Sequence, residues 1–406
     1  MSRLIFINRF YWPDEPATSQ LLTDLAESLA AAGAEVVVLA SRPSGVGSPR
    51  KERRHGVHIR RLGATRFGAR NLAARLVDFA SFLGGVCWHL FWRVRRTDTV
   101  VLMTDPPLLG VVVPTLLMGR GIRCVHWVQD IYPEIAMEVS GQRWLAVLRP
   151  WRNFAWRRAH ACVTLGTDMA SVVVRAGVSP ERVKIIPNWA PAGLEPAPSE
   201  AVSQLRHEWG LEGKFIALYS GNLGRVHDLD PVIELAVRCR DEPQVVFLFI
   251  GRGAQLPALQ AIARREALTN VHFEPPQPRA RLAPALALGD VHFVTLRSHC
   301  AAYVFPSKLY GIAAAGRPVI FVGPTGSEVA QQTAAAGFGL CFDRADQAGL
   351  GQALRRLHDD SEYRRQLGDA ALRFARTHDL AGATAAWRQI LPTDAALAAP
   401  DGRPQP

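Results

Sequence analysis

Residues 304–323 read VFPSKLYGIAAAGRPVIFVG. Val304 and Phe305 close an extended stretch, and Pro306 pre-sets the backbone for a first helical turn. The apolar run that follows is ended by Gly316, the residue type that stops helices most readily. Arg317 and Pro318 then lead straight into a β-branched run of strand length, 319–323. Strand, loop, helix and strand in such quick succession are the unit of a parallel sheet covered by helices. The same unit recurs on both sides. Upstream lie KFIALYSG (214–221), QVVFLFIG (244–251), VHF (271–273) and DVHFVTL (290–296), and FGLCF (338–342) follows downstream. The N-terminal half repeats the pattern with LIFIN (4–8), EVVVLA (35–40), TVVLM (99–103), RCVHWV (123–128) and ACVTL (161–165), and VKIIPNWAP (183–191) closes it. A helix is expected from Thr18 to Ala32, stopped at Gly33.

At 406 residues the chain exceeds what one hydrophobic core ordinarily supports. The polar, Pro-rich stretch 191–201 reads as a linker. The expectation is therefore an α/β protein of two Rossmann-like, doubly wound domains facing across a cleft. They span 1–190 and 202–375, followed by a helix over 376–391 that packs back toward the N-terminal domain and a loose tail over 392–406. Hydrophobic residues at 48% and charged residues at 20% exclude a disordered or fibrous chain. Six scattered cysteines without a C-x-x-C pair suit buried thiols in a reducing compartment better than disulfides or a zinc site. The first strand is too short an apolar stretch for a signal peptide.

The net charge of +11 is nearly all arginine, since Lys51, Lys184, Lys214 and Lys308 are the only lysines. Lys308 at a helix start therefore stands out: it reads either as a solvated charge or, with Ser307 and the helix N-terminus, as a contact for phosphate. A second loop, Ser220 to Pro231, places Gly221, Asn222 and Gly224 after a buried strand, where the backbone can approach a ligand closely. Arg225 offers a fork of donors suited to phosphate. Asp228 and Asp230 form a D-x-D, but Asp230 before Pro231 reads better as a helix cap than as a metal ligand. Gly251 and Gly253 follow another strand, without the third glycine of a dinucleotide fingerprint. In the N-terminal half, Pro16 and Thr18 open the first helix. There a hydroxyl cap and an anion-binding helix start are both open readings. Asp130, past a strand end, reads as a base or a turn cap, and His126 as a site residue or a core histidine.

Two segments join aromatic residues to arginine. Residues 71–96 hold Phe79, Phe82, Trp88, Phe91 and Trp92 with Arg75, Arg93, Arg95 and Arg96 near the ends. Residues 142–158 hold Trp144, Trp151, Trp156 and five arginines. Neither is long enough to span a bilayer, and both suit helices lying against an anionic membrane surface. A helix packed on its own domain is the alternative for part of 71–96. No nucleic-acid-binding module is recognisable, and no nucleic-acid partner is expected.

In order and spacing, Phe10, Pro13 and Glu15, then Asp130-Ile131-Tyr132-Pro133-Glu134, Pro187-Asn188-Trp189, Ser220-Gly221-Asn222-Leu223-Gly224, Pro306-Ser307-Lys308-Leu309 and Gly316-Arg317-Pro318-Val319-Ile320 resemble glycosyltransferase family 4. The similarity is to its bacterial capsule, colanic-acid and O-antigen branch, and covers residues 3–390. That resemblance implies a GT-B fold and a retaining glycosyltransferase with no metal or other cofactor. The donor is a nucleotide-sugar, UDP-linked, and the acceptor a polyprenyl-diphosphate-linked saccharide in cell-surface polysaccharide biosynthesis. The protein would be cytoplasmic, peripheral to the inner face of the membrane. Arg225 and Lys308 would face the diphosphate, with Asp130 and His126 completing the catalytic set. Gly221, Asn222, Gly224, Gly251, Gly253, Tyr303, Phe305, Ser307 and Glu328 would bind the donor, and Pro16 and Thr18 would lie on the acceptor side. Much of the wider family carries two glutamates eight positions apart, where this chain has Tyr303 and Gly311. That departure keeps two alternatives in view: a non-catalytic sugar-nucleotide-binding subunit that recruits a partner enzyme, and a GT-B-type sugar-nucleotide epimerase.

Overall fold

The computed structural model describes residues 2–43, 48–63, 65 and 72–391. The tail expected over 392–406 lies outside the described residues. The chain forms two compact units: the described residues up to Met137, Gln142–Pro187 and the stretch from Leu380 onward make the first, and Glu138–Gly141 with Asn188–Asp379 the second.

Unit 1 is built on an eight-stranded sheet. Its strands are β1 (Arg3–Ile7), β2 (Glu35–Ser41), β3 (Lys51–Arg54), β4 (Val57–Leu62), β5 (Thr99–Leu102), β6 (Arg123–Val128), β7 (Ala161–Thr164) and β8 (Val183–Ile185), in the spatial order β3-β4-β2-β1-β5-β6-β7-β8. All neighbours run parallel except β3 with β4. The central β1 pairs Ile5 with Val37 on one side and Val100 on the other. Its run of buried apolar residues is what a strand covered on both faces requires. The connecting helices are α1 (Ala17–Ala31), α2 (Leu72–Arg93), α3 (Leu109–Leu117), α4 (Glu134–Ser140), α5 (Arg149–Arg158) and α6 (Thr167–Arg175).

The β3–β4 hairpin was not legible in the arginine-rich stretch that forms it. His55 and Gly56 both take positive φ, 43° and 82°, the two-residue turn that matches the twist of paired strands. Two of its arginines are structural. Arg61 is buried and donates to the carbonyls of Trp12 and Ser41, while Arg54 pairs with Glu27 and stacks on Trp12 at 4.4 Å. Part of the basic charge is thus spent on holding the loop after β1.

Unit 2 has a six-stranded, wholly parallel sheet of β9 (Phe215–Ser220), β10 (Val245–Ile250), β11 (Val271–Glu274), β12 (Val291–Thr295), β13 (Val319–Val322) and β14 (Gly339–Phe342), ordered β11-β10-β9-β12-β13-β14. Its helices are α7 (Ser199–Glu208), α8 (Asp230–Arg238), α9 (Leu256–Arg265), α10 (Leu282–Ala287), α11 (Lys308–Ala314), α12 (Glu328–Ala335), α13 (Gln347–Asp359) and α14 (Ser361–Thr377). The first turn of α7 occupies the end of the stretch read as linker. A core of Phe215, Phe247, Phe249 and Phe293, with Phe247 and Phe293 stacked at 6.2 Å, fills one face.

The chain then returns to unit 1 as α15 (Leu380–Ile390). Trp387 is fully buried, 6.4 Å from Phe6 of β1 and 5.1 Å from Trp127 of β6, and the Thr384 hydroxyl meets Ser28 of α1 at 2.9 Å. The unit 1 core is therefore finished by residues nearly 400 positions from its first strand. Trp387→Ala should destabilise the protein by about 3–5 kcal/mol, the usual cost of deleting a large buried aromatic. Urea unfolding followed by fluorescence checks this, and an unchanged midpoint would show that α15 is dispensable.

Candidate functional site

In open parallel sheets, ligands bind at the carboxyl ends of the strands where the strand order reverses. In unit 2 that point lies between β9 and β12, and the loops leaving these two strands hold most of the expected donor residues. The backbone there is unusually close. Gly221 has φ +124° and Gly251 φ +152°, and a Cβ on Gly251 would lie 1.9 Å from the Gly221 carbonyl oxygen. The amide of Gly221 donates to Ile250 at 2.9 Å, and that of Leu223 to Arg252 at 2.9 Å. A Cβ on Gly253 would likewise come within 2.4 Å of the Leu223 backbone. The glycine identities at 251 and 253 follow from this loop-on-loop packing alone. Gln255 closes the bend with bonds to the carbonyls of Gly224 (2.7 Å) and His227 (3.0 Å).

Lys308 opens α11 beneath this bend. Its Nζ is shielded from solvent and sits 3.6 Å from the centroid of the buried Tyr219 ring, with no hydrogen-bond partner. A Cβ on Gly221 would be 3.3 Å from the same nitrogen. Burial pushes the Lys308 pKa well below the usual lysine range. An ammonium that is enclosed but not hydrogen-bonded is costly, and the solvated-charge reading does not hold. The neighbouring His227 is pushed down to about 3, by burial first and then by Lys308. Its Nδ1 donates to the Thr295 carbonyl at 2.7 Å, so a neutral imidazole lies next to the cation. Tyr219 and His227, which the sequence did not single out, form the walls of the lysine site. An aromatic residue at the end of the strand before Gly221 was the available signal.

The other expected donor residues are more dispersed. Arg225 is exposed on the same loop, which is anchored by Arg297 Nε donating to the Arg225 carbonyl at 3.0 Å. Asn222 is exposed and accepts the Tyr219 hydroxyl at its carbonyl (2.9 Å). Phe305 turns into the core and stacks on Tyr310 at 5.7 Å, Tyr303 is half-buried, and Ser307 caps α11 without a side-chain hydrogen bond. Glu328 begins α12 and accepts from Gln332 at 3.0 Å. The nearest neighbours of Gly311 are apolar: Leu286, Leu194 and Pro191 would lie 3.6–3.8 Å from its Cβ, surroundings that disfavour a carboxylate. Asp230 is not the cap of α8. Leu229 holds that position, and Arg344 engages both acids, Asp228 at 3.1 Å and Asp230 at 3.4 Å.

In unit 1 the order reverses between β1 and β5. Helix α1 starts at Ala17 with Pro16 as its cap, and no side chain caps it. The hydroxyl-cap reading of Thr18 is thereby corrected. The next residue, Ser19, is buried with its hydroxyl unpartnered, and its amide closes a turn to the Pro16 carbonyl at 2.9 Å. His126 lies on β6 beneath α3, where a Cβ on Gly110 would be 3.2 Å from its Nδ1, and its Nε2 has no partner. Burial pushes its pKa down to about 4, so it is neutral. Asp130 follows on the same strand's loop, and no hydrogen bond or ion pair holds its carboxylate among the described residues. Burial, and then the nearby Asp105, push its pKa up to about 7. Both side chains line a small cavity of about 30 Å³ with Gly110, Tyr132, Arg152 and Trp156.

That cavity is braced by an ion pair the sequence did not reveal. Arg152 of α5 grips Glu134 with two bonds of 2.9 Å, donates to the Tyr132 carbonyl at 3.0 Å and stacks on Trp156 at 4.0 Å. Trp156 is therefore a buried wall and not part of an exposed aromatic face, as its spacing had suggested. The rest of that expectation divides in the same way. Phe82, Val86 and Leu90 of α2 enter the core, whereas Trp88, Phe91 and Trp92 are 71%, 53% and 63% exposed. Trp144 and Trp151 are exposed near α5, and α3 packs against both α2 and α5. Residue 71 and the side chain of Arg75 lie outside the described residues. No helix among the described residues is long and apolar enough to cross a membrane.

The two units define a protein with two parallel-sheet nucleotide-binding-type folds in tandem. Residues 18–189 match the family model of the glycosyl transferase 4-like domain, and residues 202–374 that of the glycosyl transferases group 1. The chain is 34% identical over 198 residues to WcaI of Escherichia coli (strain K12), a glycosyl transferase assigned to colanic acid biosynthesis, covering 47% of this chain and 48% of the relative. It is 29% identical over 259 residues to WbjE of Pseudomonas aeruginosa, assigned as a glycosyltransferase, covering 62% of this chain and 64% of that one. The match thus spans about half to two thirds of the length of these relatives. The structure of Anabaena HepE in complex with UDP-glucose superposes with a TM-score of 0.73 at 15% identity, covering 96% of this chain and 98% of that one. The chain belongs to glycosyltransferase family 4, and its fold is of the GT-B class.

Two stability predictions follow from the site itself. Lys308 has its folded pKa lowered, so the unfolded chain binds more protons and charge on Lys308 costs stability at neutral pH. Lys308→Met should therefore raise the melting temperature of the ligand-free protein at pH 7, and a lowered one would mean the ammonium is satisfied in solution. Asp130 has its folded pKa raised to about 7. Its contribution is full below the unfolded value of about 3.9 and is lost as pH rises through 7. Asp130→Asn should flatten that stretch of the stability–pH curve and gain stability relative to wild type above pH 7. Parallel curves for the two proteins would refute the assignment.

Proposed function

We propose that this protein is a retaining glycosyltransferase that moves a sugar from a nucleotide-sugar, UDP-linked, to a membrane-associated, polyprenyl-diphosphate-linked acceptor in the assembly of cell-surface polysaccharide. The observation that carries the donor reading is Lys308: an enclosed ammonium without a hydrogen-bond partner, set under a glycine bend at the β9–β12 switch point. A diphosphate approaching that bend would supply the acceptors Lys308 lacks. As the glycosidic bond to the donor breaks, negative charge collects on the departing phosphate, and a preorganised cation in a dry site stabilises that charge most effectively. Arg225, exposed on the same loop, is free to close on the phosphate as it binds. HepE binds UDP-glucose in the complex of that structure, which supports a uridine donor here.

We assign the acceptor to unit 1. Asp130, with a pKa pushed up to about 7, can exchange a proton with an acceptor hydroxyl at neutral pH, and His126 is a neutral neighbour lining the same cavity. Exposed Trp88, Phe91, Trp92, Trp144 and Trp151 on helices of this unit suit a protein that works on a lipid-linked substrate at a membrane surface.

A thermal-shift panel of UDP, GDP, dTDP and ADP, with NAD as control, tests the donor reading. A ligand at a hundred times its dissociation constant stabilises by roughly 2.7 kcal/mol. UDP should raise the melting temperature of the wild type and not of Lys308→Ala, and the same substitution should lower turnover by about 10²–10³-fold. Full activity in Lys308→Ala would overturn the assignment. Conversion of the donor without any acceptor would identify an epimerase instead, and binding without turnover would identify a recruiting subunit.

A further inference from the structure

A second concavity lies on the opposite edge of the unit 1 sheet from Asp130. It has a volume of about 330 Å³ and is lined by Arg123, Arg158, His160 and Arg182, with Gly121 and Cys124 among its remaining walls. Arg123 is the first residue of β6, His160 directly precedes β7, and Arg182 directly precedes β8. These are the amino-terminal ends of the strands, where the family's donor and acceptor chemistry does not occur. Three arginines and a histidine line the cavity, and no carboxylate-bearing residue is among its walls. The nearest acid in sequence, Glu181, is exposed, accepts from the Ser179 hydroxyl and faces the charge of Arg182 from outside the cavity walls.

The cluster is braced and not merely a run of solvated arginines. Arg182 Nη1 donates to the carbonyls of Arg157 (2.9 Å) and Ala159 (3.2 Å), tying up the C-terminal end of α5. Its remaining N–H groups stay uncommitted. Arg158 lies over the Phe154 ring at 4.9 Å, which fixes its direction along the helix. His160 lies within the field of Arg123 and Arg182: burial, then those two cations, lower its pKa. Like charges gathered around a cavity whose own walls carry no acid favour the approach of an anion.

We propose that Arg123, Arg158 and Arg182, with His160, form an anion site for a phosphate group at the amino-terminal edge of the unit 1 sheet. Arginine forks suit a phosphate's oxygens better than a monovalent anion. The exposed residues of α5 indicate the source. Trp151, Phe154 and Arg158 follow each other at helical spacing, so one stripe runs from two exposed aromatics into the cavity. An apolar stripe ending in a phosphate site is the arrangement that engages a phospholipid headgroup, with the rings at acyl-chain depth. The site is separate from Lys308 and does not depend on the donor reading.

The test compares wild type with Arg123→Ala/Arg158→Ala, both exposed positions whose loss leaves the Arg182 brace intact. In solution, the His160 ring resonance should move saturably with glycerol phosphate in the wild type and stay still in the variant. Sedimentation with phosphatidylcholine vesicles, with and without phosphatidylglycerol, then separates the sources. For a lipid headgroup, phosphatidylglycerol-dependent binding should fall about twenty-five-fold in the variant, each arginine near an anionic surface contributing roughly a factor of five. Equal vesicle binding with the glycerol phosphate response lost would assign the site to a soluble phosphate compound. A wild-type His160 resonance that ignores glycerol phosphate overturns the site, whatever the vesicles show. An unchanged thermal response to UDP in the variant shows that the effect is local and keeps failure here distinct from failure of the donor site.

Discussion

The pairing of one central strand, on its two edges, with two strands that both follow it in the chain governs each unit. In unit 1, β1 lies between β2 and β5, and in unit 2, β9 lies between β10 and β12. Parallel strands send every connection over a sheet face, so at this reversal two adjacent loops diverge and leave their backbone groups uncovered. Everything chemically distinctive in unit 2 gathers at that point. The Gly221 bend leaves β9 there, His227 bonds to the end of β12, and Lys308 rises beneath both.

The two units treat ionisable groups by different means, with one physical logic. Unit 2 encloses a cation beside an aromatic ring and a neutral imidazole, without a carboxylate to neutralise it. Unit 1 holds a half-buried carboxyl group beside a second acid and braces the surrounding loop with the buried Glu134–Arg152 pair. Each arrangement is unfavourable for the isolated side chain, and each is held by neighbours fixed by their own hydrogen bonds. Strain of this kind is retained where a ligand completes it.

The arginine content illustrates how one residue type serves separate ends. Arg61 and Arg54 hold the loop after β1, Arg152 braces the Asp130 cavity, and Arg344 engages Asp228 and Asp230. Arg123, Arg158 and Arg182 are left around a cavity without acids. Net charge therefore overstates what is free to meet an anionic partner, and the distribution of unpaired guanidinium groups is the more informative quantity.

The sequence by itself determined the alternation of strands and helices, the two-unit plan, and the loops after β9 and before α11 as places to look. Those features are local: β-branched runs, helix-stopping glycines and Pro306 act on their immediate neighbours, so their spacing is readable in one dimension. Tertiary structure decided the rest. The β3–β4 hairpin was hidden because arginine carries little strand signal, and its burial comes from distant carbonyls on Trp12 and Ser41. Trp156 and Trp151 have the same spacing credentials, yet one is a cavity wall and the other a surface ring, because Arg152 folds over Trp156 to reach Glu134. Gly251 and Gly253 were readable as glycines near a ligand, and the tertiary structure adds that backbone thirty residues away leaves no room there for a side chain. The enclosure of Lys308 by Tyr219 and His227 depends on which residues meet at the end of the sheet. That is a property of strand order, which spacing along the chain does not encode.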